Sequence, residues 1–178
     1  MGRFTFKHGV HPAEHKSFSC EQAIEDLPLP DNVYIPLQQH IGRPCSPLVG
    51  KKDEVKTGQL IGKAEGFVSS PVHSSVTGTV KAVGPFLNSM GVRVPMVHIQ
   101  RGGEDEWELL ETPDDWRRST SEELGNLVFR AGIVGMGGAA FPSHVKLKVS
   151  PDKPMDTFIL NGCECEPYLT CDHRMMLE

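Results

Sequence analysis

A chain of 178 residues with 38% apolar residues, 18 glycines and 14 prolines has room for one ordinary domain or two small ones, rich in turns. Its net charge of −5, with Lys and Arg scattered and never in a run, excludes a phosphate-reading nucleic-acid surface, and the low aromatic content disfavours a base-stacking platform. No segment approaches the ~20 consecutive apolar residues needed to cross a bilayer.

The first residues, Met1-Gly-Arg-Phe-Thr-Phe-Lys, have no apolar core for a signal peptide, and Phe6 stands where a myristoylation signal needs Ser or Thr. A soluble cytoplasmic chain is expected, with a membrane-bound partner left open. Five cysteines, three of them clustered as Cys163, Cys165 and Cys171, fit a reducing compartment better than a disulfide framework. Residues 1–30 read as an irregular arm. His8, His11 and His15 bracket Glu14, and His11 and His15 would share a face in a helix. Pro12 breaks that pattern, so a solvated arm is expected rather than a metal site.

Residues 31–105 read as an all-β domain. Short apolar runs alternate with turn signals: Val33–Ile35, Leu60–Ile61, Phe67–Val68, Val80–Val83 and Val94–Ile99, punctuated by Gly50, Gly58, Gly66, Gly78, Gly84 and Gly91 at near-hairpin spacing. The stretches Val55-Lys-Thr-Gly-Gln-Leu-Ile and Pro71-Val-His-Ser-Ser-Val-Thr-Gly-Thr-Val resemble biotinyl/lipoyl-type barrel-sandwich hybrid domains. That resemblance puts a hairpin tip near Ala64–Phe67. Lys63 lies close to the tip without the flanking motif of a carrier lysine, so the fold is expected without the carrier chemistry. His73, beside a proline turn, reads as a packing or hydrogen-bonding residue before a catalytic one.

Residues 106–119 are acidic and read as a linker with a solvated face, with Trp107 and Trp116 as anchors. A helix then opens cleanly. Thr120 and Glu123 have capping-box spacing, Leu124, Leu127, Val128 and Ala131 form one apolar face, and Gly132 suits a left-handed helix end. Asp156–Asn161 reads as a buried strand. Asp172 would cap a last helix from His173 to Glu178, which is too short to support itself. The chain is therefore expected to be a fragment of a longer protein.

Two runs carry the chemistry. Gly135-Met-Gly137-Gly138-Ala-Ala-Phe141 matches the spacing of a Rossmann fingerprint, but a helix leads into it where that fingerprint needs a strand, and no Gly-Lys-Ser/Thr closes it as a P-loop. Its glycines still let the backbone approach a flat ring or a phosphate. A tight helix–strand connection would need fewer glycines than Gly132, Gly135, Gly137 and Gly138. Asn161-Gly-Cys163-Glu164-Cys165-Glu166-Pro167 places two carboxylates and two thiols after the expected strand. Cys163-x-Cys165 and Cys171-x-His173 are tighter than the usual zinc pairs, and the iron–sulfur Cys-x-x-Cys-x-x-Cys run is absent. No metal site is expected. Buried thiols at a strand end would account for the cysteines and leave the glutamates unexplained.

Taken together, the glycine loop through Lys146, the run Asn161–Arg174, the N-terminal His8-Gly-Val-His-Pro-Ala-Glu-His-Lys and Ile35-Pro-Leu-Gln-Gln-His-Ile-Gly resemble the RnfC-type component of Rnf/Rsx ion-translocating electron-transport complexes. The loop is also similar to the FMN- and NADH-binding loop of the flavoprotein subunit of respiratory complex I. The resemblance implies an α+β chain, with a barrel-sandwich hybrid β domain followed at 120–178 by the truncated start of an α/β FMN/NADH-binding domain. It implies an oxidoreductase subunit that passes electrons between NAD(H) and ferredoxin through FMN and iron–sulfur clusters, coupled to Na⁺ or H⁺ movement. The subunit would sit peripherally on the cytoplasmic face of the inner membrane, with other subunits as partners and ferredoxin as an indirect one. Two other readings stay open: a docking module acting through the β domain, and a lipoyl/biotin-type carrier.

Carried over by position, Gly135, Gly137 and Gly138 lie against the flavin or nicotinamide, Lys146 reaches the flavin phosphate and Phe141 stacks on adenine. Asn161, Cys163 and Glu164 contact the flavin, and Glu166 the nicotinamide side. The protein supplies orientation and electrostatics while the flavin carries the redox chemistry, so no catalytic side chain is assigned. The sequence departs from the complex I loop at Met136, Ala140 and Cys163, where that subunit has Arg, Gly and Asp. The remaining flavin and NADH contacts, and the cysteine motifs for 4Fe-4S clusters, would lie beyond Glu178, and the fragment alone is expected to be inactive.

Overall fold

The computed structural model describes residues 11–150, 152 and 155–178. They form two compact units, one from residues 29–154 and one from residues 1–28 with 155–178.

The larger unit is built on two antiparallel sheets. Strands β1 (Asn32–Pro36), β7 (Arg93–Arg101), β6 (Gly78–Leu87) and β3 (Glu54–Val55) lie in the order β1-β7-β6-β3. Strands β2 (Ser46–Pro47), β4 (Leu60–Lys63) and β5 (Val72–His73) lie in the order β2-β4-β5. One core joins them: Ile35, Val55, Val80, Val97 and Ile99 from the first sheet, Ile61 and Val72 from the second, and Leu37, Cys45 and Val76 from the connections. Apolar residues from two facing sheets remove each other from water, which stabilises the sandwich by roughly 1.5–3 kcal/mol per fully buried aliphatic side chain.

The register explains which expected runs became strands. Val33 pairs with Ile99 and Ile35 with Val97, and Val80 pairs with Ile99 from the other side before a register shift at Lys81. The runs at 33–35, 60–61, 80–83 and 94–99 therefore lie in β1, β4, β6 and β7. Phe67–Val68 does not form a strand. It lies in the β4–β5 hairpin connection, where Gly66 turns with φ +104° and the Val68 carbonyl accepts from Arg43 N (3.1 Å).

The connection from Leu37 to Cys45 is fixed at both ends and in the middle. Leu37 N donates to Pro95 O (3.0 Å) and Cys45 N to Leu37 O (2.8 Å). Buried His40 lies within hydrogen-bonding distance of Ile41 O through Nδ1 (3.1 Å) and accepts from Ser70 N through Nε2 (3.1 Å), a pattern that selects the Nδ1–H tautomer. Gly42 has φ +108°, and a Cβ there would sit 2.1 Å from Val68 O. Only glycine allows both the turn and that backbone approach.

The acidic stretch is pinned over its first half. Thr57 N donates to Glu106 O (2.9 Å), Glu108 N to Thr57 O (2.8 Å), and Thr57 Oγ1 to Asp105 (3.0 Å). Helix α1 (Ser121–Arg130) carries the full capping box, with Glu123 N on Thr120 Oγ1 (3.2 Å) and Thr120 N on the Glu123 carboxylate (2.7 Å). That carboxylate is held below its ordinary range by the Thr120 backbone N–H, then by the Thr120 hydroxyl. Gly132 follows with φ +70°, where the helix was expected to end.

In the smaller unit the structure corrects two expectations. Residues 156–161 form no strand, and Phe158, Ile159 and Leu160 are 73%, 83% and 83% exposed. A strand must pair its backbone groups with a neighbour, and none of the described residues pairs with this segment. The last helix, α3 (Cys171–Leu177), begins before His173, with Thr170 at its N-cap and Asp172 inside its first turn.

Gly42→Ala is expected to destabilise the larger unit by about 3 kcal/mol, through strain and backbone collision. Gly84→Ala, where nothing lies within 4 Å of the added methyl, should stay within about 0.5 kcal/mol. Urea unfolding of both variants checks the pair; equal losses would contradict the packing at Gly42.

Candidate functional site

The glycine run is a loop closed at its neck and open at its tip. Gly135 N donates to Phe141 O (2.9 Å), Ser143 N to Ile133 O (3.0 Å), and Val134 bridges Pro142. Pro142 is fully buried and leads into the single-turn helix α2 (Ser143–Lys146). Residues 136–139 are exposed, Met136 to 91%. Gly138 and Ala140 take left-handed backbone, at φ +151° and +48°. The β sandwich supports the loop directly, since Ile41 N donates to Ala140 O (3.3 Å).

One turn of α2 carries Lys146 back over the neck. A Cβ on Gly135 would lie 2.7 Å from Lys146 Nζ, so the ammonium sits directly against the glycine backbone. Lys146 Nζ also lies 6.0 Å from the Phe141 ring centroid, at the limit of cation–π range. Helix α2 is anchored on α1 by the His144 ring, edge-on to Phe129 at 4.7 Å. Burial pushes the His144 pKa down, against an opposing hydrogen bond with the Phe67 backbone. Gly135, Gly137, Gly138, Phe141 and Lys146 thus occupy one loop and its return turn. A cation over a glycine neck, beside exposed backbone with little side-chain cover, fits an anionic group such as a phosphate. The helix-first order and the single turn that follows also differ from a Rossmann unit.

The second run belongs to the smaller unit. Asn161 Oδ1 accepts from Cys163 N (2.9 Å), a local turn that Asn favours. Glu164 reaches forward to α3, accepting from His173 N (3.0 Å) and from the Cys171 thiol (3.5 Å). These contacts hold the Glu164 carboxyl below its ordinary range, the His173 N–H most of all. The same carboxylate raises the Cys171 pKa, chiefly by accepting its hydrogen bond. Cys163, Cys165 and Glu166 are exposed. Ligand atoms of Glu164, Cys171 and Asp172 lie within 4.8 Å of one another, and each Glu164 oxygen accepts a hydrogen bond from the first turn of α3.

Two contributors carried no periodic signal in the sequence: Ile41, which acts through its backbone, and Lys16, whose ammonium donates to Leu169 O (2.8 Å) and Glu166 O (3.3 Å). His15 stacks on Tyr168 at 4.9 Å. No helix carries both His11 and His15, because the local turn spans only Lys16–Phe18; His8 lies outside the described residues. A separate groove of about 680 Å³ is lined by Leu60, Lys63, His73, Trp107, Phe129 and Arg130 among others, and by none of the glycine-loop residues. Burial lowers the pKa of His73, against opposing contributions from the Arg130 backbone and Glu108.

Residues 4–104 match the family model described as the RnfC barrel sandwich hybrid domain, and residues 128–178 match that of the Nuo51 FMN-binding domain. The chain is 48% identical over 175 residues to the RnfC-type component of the proton-translocating ferredoxin:NAD(+) oxidoreductase complex of Clostridium ljungdahlii, covering 98% of this chain and 38% of that protein. It is 45% identical over 177 residues to the corresponding component of the ion-translocating oxidoreductase complex of Rhodobacter capsulatus, covering 98% and 34%. It is 45% identical over 173 residues to that of the Na(+)-translocating ferredoxin:NAD(+) oxidoreductase complex of Acetobacterium woodii, covering 97% and 39%. The chain belongs to the RnfC family and spans 34–39% of the length of these relatives. Its fold class is α+β, with the barrel-sandwich hybrid domain the resemblance implied.

The Glu164 cap gives a pH signature. A folded pKa held below the unfolded one means the cap is fully present above the ordinary carboxylate range and is lost as pH falls through the depressed value. At neutral pH the His173 amide should exchange with deuterium more slowly in the native protein than in Glu164→Ala. The two should converge on acidification through and below the carboxylate range. A gap between them that does not change with pH would contradict the cap.

Proposed function

We propose that this RnfC-family chain is part of the electron-transfer subunit of an Rnf-type complex that passes electrons between NAD(H) and ferredoxin, coupled to Na⁺ or H⁺ transport. The observation that carries the reading is the Lys146 ammonium against the Gly135 neck, beneath an exposed glycine tip. Support also comes from the match of residues 128–178 to an FMN-binding domain and from relatives named as subunits of ferredoxin:NAD(+) oxidoreductase complexes.

In this reading Lys146 holds the flavin phosphate and Gly135, Gly137 and Gly138 bring backbone against the ring or the nicotinamide. Phe141 stacks on adenine. Asn161, Cys163 and Glu164 serve the flavin, Glu164 while its carboxylate caps α3, and Glu166 serves the nicotinamide side. FMN, when bound, would supply the chemistry that links two-electron exchange with NAD(H) to one-electron exchange with iron–sulfur clusters. The chain's own residues bind, orient and set the local charge. The organisation that goes with this is an arm at 1–30, the sandwich at 31–105, an acidic connection at 106–119 and the start of the flavin domain at 120–178. The subunit is peripheral on the cytoplasmic face of the membrane. No helix among the described residues is long and apolar enough to cross one.

Flavin fluorescence titration tests the site. FMN binding is expected to be weak in this chain and abolished by Gly137→Arg. Lys146→Met should weaken FMN about tenfold, the scale of one charge-assisted hydrogen bond. Riboflavin, which lacks the phosphate, should be indifferent to Lys146→Met. Undiminished FMN binding in Gly137→Arg would overturn the assignment.

A further inference from the structure

The Glu164–Glu166 run is joined to α3 by a turn that local sequence does not explain. Tyr168 sits at φ +70°, a backbone region that is costly for a bulky residue. The carbonyls of Glu166, Tyr168 and Leu169 face the N-terminal arm. Lys16 Nζ donates to Leu169 O (2.8 Å) and Glu166 O (3.3 Å), and Ser19 Oγ to Tyr168 O (3.4 Å). Tyr168 N donates to Glu14 O (2.7 Å). The Tyr168 ring stacks on His15 at 4.9 Å. Beyond the turn, Thr170 Oγ1 donates to Ser19 Oγ (2.9 Å) and Arg174 Nη1 to Cys20 O (3.2 Å), while Ile24 N donates to the Glu178 carboxylate (3.1 Å).

We infer that the N-terminal arm, residues 14–24, is a clasp that sets the backbone of the Glu164–Glu166 run, with Lys16 as its positioning residue. Partners about 150 positions apart in sequence fold as one unit, although residues 4–104 and 128–178 match two different family models. One flexible cation satisfies two carbonyls that the turn leaves without strand or helix partners, and a charged donor gives hydrogen bonds stronger than a neutral one would. Lys16 makes no hydrogen bond to Cys171 or to the Glu164 carboxylate, on which its charge acts through space as the last of several causes. It acts by holding Glu166 and Leu169, and so fixes the distance from the carboxylates to the first turn of α3. The consequence for ligand binding rests on the flavin reading: the clasp fixes the backbone of a run to which that reading gives flavin and nicotinamide contacts.

The test compares the whole chain with Lys16→Met, which keeps the aliphatic stem and removes the donor, and Lys16→Arg, which restores it. Iodoacetamide alkylation followed peptide by peptide reports on the run through Cys171, whose thiol is held by Glu164. The buried core thiol of Cys45 reports on unfolding of the larger unit, and rescue by Lys16→Arg separates a lost donor from unfolding of the smaller one. The clasp predicts that Lys16→Met speeds Cys171 alkylation about tenfold, the scale of one charged hydrogen bond, with Cys45 unchanged, and that Lys16→Arg returns the native rate. An unchanged Cys171 rate, or no rescue by Arg, overturns it. FMN titration of the same proteins separates the two ideas. FMN binding that survives Gly137→Arg defeats the flavin reading while the alkylation rates still decide the clasp. Native protein that binds, with Lys16→Met binding equally well, defeats the positioning role while leaving the flavin reading intact.

Discussion

The hydrogen bond from Gly135 N to Phe141 O, above a buried Pro142, is the constraint on which the candidate site depends. It closes the glycine loop at its neck, so the tip is presented rather than folded down. It also sets where α2 begins, and hence where one helical turn delivers Lys146. A side chain at Gly135 would meet that ammonium at 2.7 Å, so the neck glycine and the lysine form a single device.

The sandwich holds this device in place. Gly42, at φ +108° and against Val68 O, lets the 37–45 connection turn so that Ile41 N reaches Ala140 O. Lys148 Nζ lies 5.7 Å over the Phe67 ring at the β4–β5 hairpin, and a Cβ on Gly132 would come within 2.6 Å of Pro71 O. The β4–β5 connection thus lies beside the segments that flank the glycine loop.

How much of this was readable in the sequence follows from the range of each interaction. The capping box at Thr120 and Glu123 and the helix end at Gly132 were legible because their partners are within four residues. So were β1, β4, β6 and β7, whose apolar runs match buried positions. Strands β2, β3 and β5 have two residues each, too short for a period to show. The apolar run Phe158–Leu160 has strand composition, but pairing is a property of two segments, and no described neighbour pairs with it. Asp172 resembles a cap in sequence, yet the carboxylate that accepts from the α3 backbone comes from Glu164, nine residues before His173. Lys146 and the glycines were visible through a family resemblance. Lys16 and Ile41 lie in runs that carry the same resemblance, but they act across long stretches of chain, so their roles left no local pattern.

The central claim is that the glycine loop, closed at its neck and backed by Lys146, receives a phosphate-bearing flavin. Amide chemical-shift mapping during an FMN titration, paired with a riboflavin titration, addresses it most directly. The account predicts FMN-dependent shifts at Gly135, Gly137, Gly138, Phe141 and Lys146, with those at Gly135 and Lys146 absent for riboflavin. Loop amides that stay in place as FMN saturates the protein, or shifts confined to the groove beside His73 and Arg130, would contradict it.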